Sequence, residues 1–149
     1  MRFLAVLVLL FTLSVAQGRT LGEAGEGQIE IPDTWVSYQG VWLNPEQTLC
    51  LDFRTLGSKG DLARFAESAR SRLVEQGGDR LLTDTRMRSL GGCQVASWRS
   101  MSKMNCLTLN YLISKKGKML SLTLAFVQTP SEAEMESLES QLLNSLRWP

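Results

Sequence analysis

Two nine-residue stretches of alternating polarity constrain this chain more than anything else in it. Cys106 to Ser114 sets Leu107, Leu109, Tyr111 and Ile113 on one side, and Met119 to Val127 does the same with Leu120, Leu122, Leu124 and Phe126. Successive side chains of a strand point to opposite faces, so a period of two over this length predicts half-buried strands. Lys115-Lys116-Gly117-Lys118 lies between them as a turn, with a glycine available for positive φ. The result is a long antiparallel hairpin with one leucine-rich face to be covered.

Two segments have the pattern of helices that could cover it. Leu62, Phe65, Ala66, Ala69 and Leu73 recur at helical spacing behind Asp61, a fitting N-cap, and Gly77-Gly78 ends the run. That stripe reads as core packing. The second helix opens at Thr129-Pro130-Ser131-Glu132: a capping residue, proline at the first helical position and a glutamate for the capping box. Met135, Leu138, Leu142 and Leu146 form its apolar stripe, while Glu132, Glu134, Glu136 and Glu139 crowd its N-terminal half. The helix dipole favours negative charge there, so the acidic cluster needs no metal to explain it.

Shorter strands are expected at Ile29–Pro32, around Gly40 between Trp35 and Leu43, and at Thr48–Arg54, where Leu49, Leu51 and Phe53 face opposite to Cys50, Asp52 and Arg54. Leu81–Leu90 is read as one strand with Arg86 and Arg88 on the same face, and extended structure resumes at Cys93–Trp98 after Gly91-Gly92. Strands, helix, strands, helix is an α+β order: an antiparallel sheet flanked by helices, in one domain over residues 28–149.

The first residues read as an address. Arg2, the apolar run Phe3–Val15 and the small residues of Ser14-Val15-Ala16 make a signal peptide over 1–16, cleaved before Gln17. The run is shorter than the roughly 20 residues a membrane helix needs, and no cysteine follows it to carry a lipid. Residues 17–27, rich in Gly and Glu, are expected to be a flexible arm.

Cleavage would leave 133 of 149 residues with 15 basic and 15 acidic side chains, a neutrality that argues against a general nucleic-acid binder. The charge is unevenly spread. Thr20–Gly57 carries six acids against Arg54, a net −5; Arg80–Lys118 carries eight bases against Asp84, a net +7. The basic stretch is either a set of solvated strand charges or a surface for an acidic partner. The chain has no histidine, which excludes Ser-His-Asp and Cys-His nucleophiles and imidazole metal ligands. Cys50, Cys93 and Cys106 allow three pairings. Cys93 with Cys106 is favoured, because they flank a strand-turn-strand, and such a bridge would be worth about 3 kcal/mol. Cys50 would then be a buried free thiol.

Ile31-Pro32-Asp33-Thr34-Trp35 resembles the Ile-Pro-x-x-Trp opening of PsbP-like domains, a group that includes Mog-type Ran-binding proteins and DcrB-like bacterial proteins. The pattern continues through the Leu49–Phe53 strand, the helix opening at Asp61-Leu62, the Gly91-Gly92 step, the paired strands with Gly117 and the ending Leu146-Arg147-Trp148. The resemblance implies a PsbP-like α/β/α sandwich that works by binding rather than catalysis. Plant members stabilise the oxygen-evolving complex, Mog-type members bind a small GTPase, and some periplasmic relatives are immunity proteins against secreted toxins. Metal sites in some relatives use histidine, which no position here can match.

The expected function is therefore a non-enzymatic, periplasmic binding or accessory protein without cofactor or metal, meeting a protein with an acidic surface. Arg86, Arg88, Arg99 and Lys103 are the candidate contacts. Trp98 is either an aromatic anchor beside them or a core tryptophan. Alternatives are an immunity protein, a carrier of a small apolar ligand between sheet and helix, and an enzyme using carboxylates such as Asp33, Asp52 and Asp84.

Overall fold

A computed structural model describes residues 18–148 apart from 24 and 59, so the expected signal peptide and Gln17 lie outside the described residues. The elements are β1 (Gly18–Leu21), β2 (Ile29–Pro32), β3 (Val36–Tyr38), β4 (Val41–Leu43), β5 (Leu49–Ser58), α1 (Leu62–Glu75), β6 (Arg80–Leu81), β7 (Arg86–Leu90), β8 (Cys93–Met101), β9 (Leu107–Lys115), β10 (Lys118–Phe126) and α2 (Glu132–Asn144). The alternating hairpin forms as β9 and β10, with Leu109 opposite Leu124 and Tyr111 opposite Leu122. Lys116 and Gly117, at φ 51° and 80°, make the two-residue turn.

Around that hairpin the sheet runs β3-β4-β5-β10-β9-β8-β6, with β7 also paired to β8 and every pairing antiparallel. On one face α1 packs Leu62 and Ala66 over Ala96, Trp98, Leu112 and Met119. On the other, α2 and the β1–β2 hairpin cover the leucines of β10, β9 and β5, where Leu51, Leu120, Leu122 and Leu124 are fully buried. Each such leucine stabilises the fold by about 1.5–3 kcal/mol.

Four expectations change. Part of the expected flexible arm is the ordered strand β1, pairing Gly18–Leu21 with Ile29–Pro32 and burying Leu21. It is fastened because β2 is tied to the C-terminal end of α2: Glu30 N donates to Ser145 Oγ at 2.9 Å, and Gln28 and Arg147 exchange backbone hydrogen bonds at 2.7 and 2.8 Å.

The α2 cap is Ser131, not Thr129. Ser131 Oγ accepts from Glu134 N and Ser131 N donates to Glu134 Oε2, a complete capping box two residues later than expected. Leu81–Leu90 is two strands, because Leu82–Thr85 leaves the ladder: Arg99 N donates to Thr83 Oγ1 at 2.8 Å, and Arg70 of α1 donates to Thr83 O and Thr85 Oγ1.

The last change concerns the cysteines. All three are free thiols, and the β8–β9 register explains why Cys93 and Cys106 are not bridged. Met101 pairs with Leu107 beside the turn while Gln94 pairs with Ser114 at the far end. Cys106 thus sits at the turn and Cys93 a strand-length away, roughly 25 Å at the rise of an extended chain, against the roughly 4.4–6.8 Å between Cα atoms that a disulfide needs.

Candidate functional site

The broken ladder at Leu82–Thr85 sets where β7 begins, and the Gly91-Gly92 turn sets its register: Arg86 opposite Ser97, Arg88 opposite Val95, Leu90 opposite Cys93. Cross-strand partners share a face, so Arg86 and Arg88 stand beside Arg99 on the side of the sheet that α2 covers. Helix α2 presents Glu132, Glu136 and Glu139 at spacings of four and three, one face of a helix. Between the two walls is an open cleft of about 350 Å³, lined by the three arginines, Leu90, Leu143, Glu136, Glu139, Ser140 and Asn144.

Two arginines are already engaged there. Arg99 holds Glu132 with two parallel hydrogen bonds, 2.7 and 2.9 Å. That bond raises the Arg99 pKa and lowers that of Glu132, although Glu132 is 65% exposed and the pair contributes little to stability. Arg88 is paired with Glu139, both only 27% exposed. The Tyr111 hydroxyl donates to the other Glu139 oxygen at 2.9 Å. Burial, and then the adjacent Glu139 carboxylate, pushes the Tyr111 pKa well above the ordinary tyrosine range. Arg88 Nε is buried without a hydrogen-bond partner among the described residues. Arg86 is exposed and has no carboxylate within 4.0 Å among the described residues.

Of the five candidate contacts, the structure brings three together and parts two. Trp98 is 4% exposed in the core under α1, on the opposite face of the sheet from Arg99. Adjacent residues of a strand cannot share a surface, so Trp98 is not an anchor beside these arginines. Lys103 is exposed in the turn between β8 and β9, against Gly78 at the end of α1. The residues sequence reasoning missed are Glu139, Glu132 and Tyr111. The helical spacing of the glutamates was the available signal.

A second cleft, of about 300 Å³, lies between β1 and the β4–β5 strands, lined in part by Trp42, Phe53 and Thr55. The Arg19 guanidinium sits 4.9 Å above the Trp42 ring beside it.

No protein-family model matches the chain, and no curated protein sequence is similar to it. Solved structures are. Cyanobacterial PsbP (CyanoP) from Synechocystis sp. PCC 6803 superposes with a TM-score of 0.59 at 13% identity, over 90% of this chain and 94% of its own. The chain has a PsbP-like fold. A protein of unknown function from Pseudomonas aeruginosa, PA94, superposes at a TM-score of 0.50 and 16% identity, over 83% of this chain and 89% of its own. Mog1 superposes at a TM-score of 0.46 and 10% identity, over 88% of this chain and 95% of its own. Similarity at these identities is one of backbone architecture, and what a PsbP-like fold does is decided by its sites.

Proposed function

We propose that this chain is an exported binding or accessory protein of the bacterial periplasm, acting without catalysis through contact with a protein that presents acidic side chains. The observation that carries the reading is the convergence of Arg86, Arg88 and Arg99 on one open cleft, with the Arg86 guanidinium unmatched among the described residues. The contact set is accordingly narrower than expected, keeping the three arginines and leaving out Trp98 and Lys103. A carrier of small apolar ligands is disfavoured by the cleft beneath α2, which is open and lined mostly by charged and polar side chains.

Immobilised wild-type protein and its Arg86→Glu variant, each exposed to envelope extract at physiological salt, test the reading. A stoichiometric partner retained by the wild type and lost by the variant is the expected result. Equal retention by both, or retention by neither, sinks it. Export has its own check: the N-terminus of protein recovered from the periplasmic fraction should begin at Gln17.

A further inference from the structure

Strand β7 pairs with β8 along Arg86–Leu90 and, among the described residues, its other edge pairs with nothing. The turn that joins them has positive φ at both residues, 56° at Gly91 and 81° at Gly92, the type I′ geometry of a two-residue hairpin. Leu90 and Cys93 are then the hydrogen-bonded closing pair, and alternation along an antiparallel ladder turns the backbone groups of Arg88 and Arg86 towards β8 as well. The N–H and C=O groups of Met87 and Ser89 face the open edge. Side chains alternate too: Arg86, Arg88 and Leu90 stand on the cleft side, while Met87, 46% exposed, stands on the other.

This edge discriminates by charge. A second copy of β7 laid against it would place arginines opposite or diagonal to arginines, and like charges across a strand pair are destabilising. A strand carrying carboxylates at those positions has the reverse effect. Arg99 and Arg88 are engaged by Glu132 and Glu139, so among the described residues Arg86 is the cleft guanidinium without a carboxylate partner, and Arg88 keeps a buried Nε with no acceptor.

We infer that β7 is an acceptor edge for an extended acidic segment of a partner protein, which adds as a further antiparallel strand with a carboxylate opposite Arg86. The inference rests on the binding reading above and adds the backbone pairing and the order of side chains. An antiparallel strand followed from its N-terminus meets Leu90, Arg88 and Arg86 at alternate positions. Its pattern is therefore apolar, any, acidic, apolar, acidic, the second apolar residue lying against Met87. Backbone hydrogen bonds to Met87 and Ser89 supply affinity, and the alternate side chains supply selectivity.

The probe is an acetylated, amidated peptide, threonine-valine-threonine-glutamate-valine-glutamate-threonine, with a twin N-methylated at its third and fifth residues. Those are the residues opposite Ser89 and Met87, so the twin keeps every side chain and loses the pairing N–H groups. Calorimetry should show the parent peptide binding, with a loss of at least about tenfold for the N-methylated twin and for Arg86→Glu. NMR-detected exchange should slow at the Met87 and Ser89 amides. Circular dichroism confirms that Arg86→Glu is folded, as expected at an exposed position.

Equal binding of both peptides, still lost in Arg86→Glu, overturns strand addition and leaves the acidic-contact reading standing. Strand addition is likewise overturned if neither peptide binds at millimolar concentration while Arg86-dependent capture of an envelope protein persists. Peptide binding indifferent to Arg86→Glu overturns the inference, and if capture is also indifferent, the reading falls with it.

Discussion

Glu139 ties α2 to the sheet through both Arg88 and Tyr111, and Glu139→Ala tests what that attachment is worth. One carboxylate accepts from both Arg88 and Tyr111, and truncation leaves two donors without an acceptor. An unsatisfied buried donor costs about 1–3 kcal/mol. Arg88 is 27% exposed at the wall of an open cleft, so water recovers part of its loss, whereas Tyr111 is buried. The sum is about 2–4 kcal/mol, which at about 4 °C per kcal/mol for a domain of this size lowers Tm by ~8–16 °C.

Urea unfolding followed by circular dichroism measures this directly, with an unchanged m-value showing that the native state has not loosened. A triple variant, Arg88→Met, Tyr111→Phe and Glu139→Leu, removes donors and acceptor together and should return to within about 1 kcal/mol of wild type, because the penalty lies in orphaned groups rather than in the lost bonds. A Glu139→Ala cost below about 1 kcal/mol would refute the reasoning, as would a triple variant no better than the single one.

Three further outcomes are expected. Trp98→Ala should destabilise the fold by about 3–5 kcal/mol in urea unfolding, and Trp98→Phe, under conditions where it is folded, should bind the acidic peptide as wild type does, since the ring is core. Alkylation without reductant should label all three cysteines after unfolding, and mass spectrometry should find no Cys93–Cys106 bridge. In the native state, burial raises the Cys50 and Cys93 thiol pKa values, with Asp52 adding to the first and Lys115 opposing the second, so both should react slowly at neutral pH. The fold binds the Tyr111 proton more tightly than the unfolded chain does; its contribution to stability is whole below about pH 10 and falls as pH rises beyond. Tyr111→Phe should flatten that alkaline limb in urea titrations.

The β9–β10 hairpin was legible because its leucines repeat every two residues over a long span, a period no helix can satisfy. Helix α1 was legible from Asp61 to Gly77 because cap, stripe and stop agree. Strand β1 was not, since Gly18-Arg19-Thr20-Leu21 offers one apolar residue, and its order derives from Ser145 and Arg147, more than a hundred positions away. The cysteine pairing failed on length: flanking a strand-turn-strand does not make two residues opposite when one sits at the turn and the other at the far end. Trp98 and Arg99 could have been separated by parity alone. The cleft lay beyond local patterns, because its two walls come from β7–β8 and α2, and only the tertiary fold sets them face to face.

Net charge along the chain misleads about this surface for a physical reason. The +7 stretch from Arg80 to Lys118 packs against an acidic helix of the same chain, and a lysine in it donates to the backbone of Trp148 at 3.0 Å. The cleft presents not a basic field but three guanidiniums in different states of commitment. Arg86 has no carboxylate partner among the described residues. Arg99 holds a glutamate that is 65% exposed, so a competing carboxylate can displace it with little desolvation to overcome. Arg88 holds a carboxylate that is mostly buried and shared with Tyr111, and displacing it would strand the buried Tyr111 hydroxyl. An incoming acidic segment should therefore engage Arg86 first and compete for Arg99 second, while the carboxylate opposite Arg88 adds to that guanidinium without displacing Glu139, so that the Arg88–Glu139–Tyr111 cluster still fixes α2.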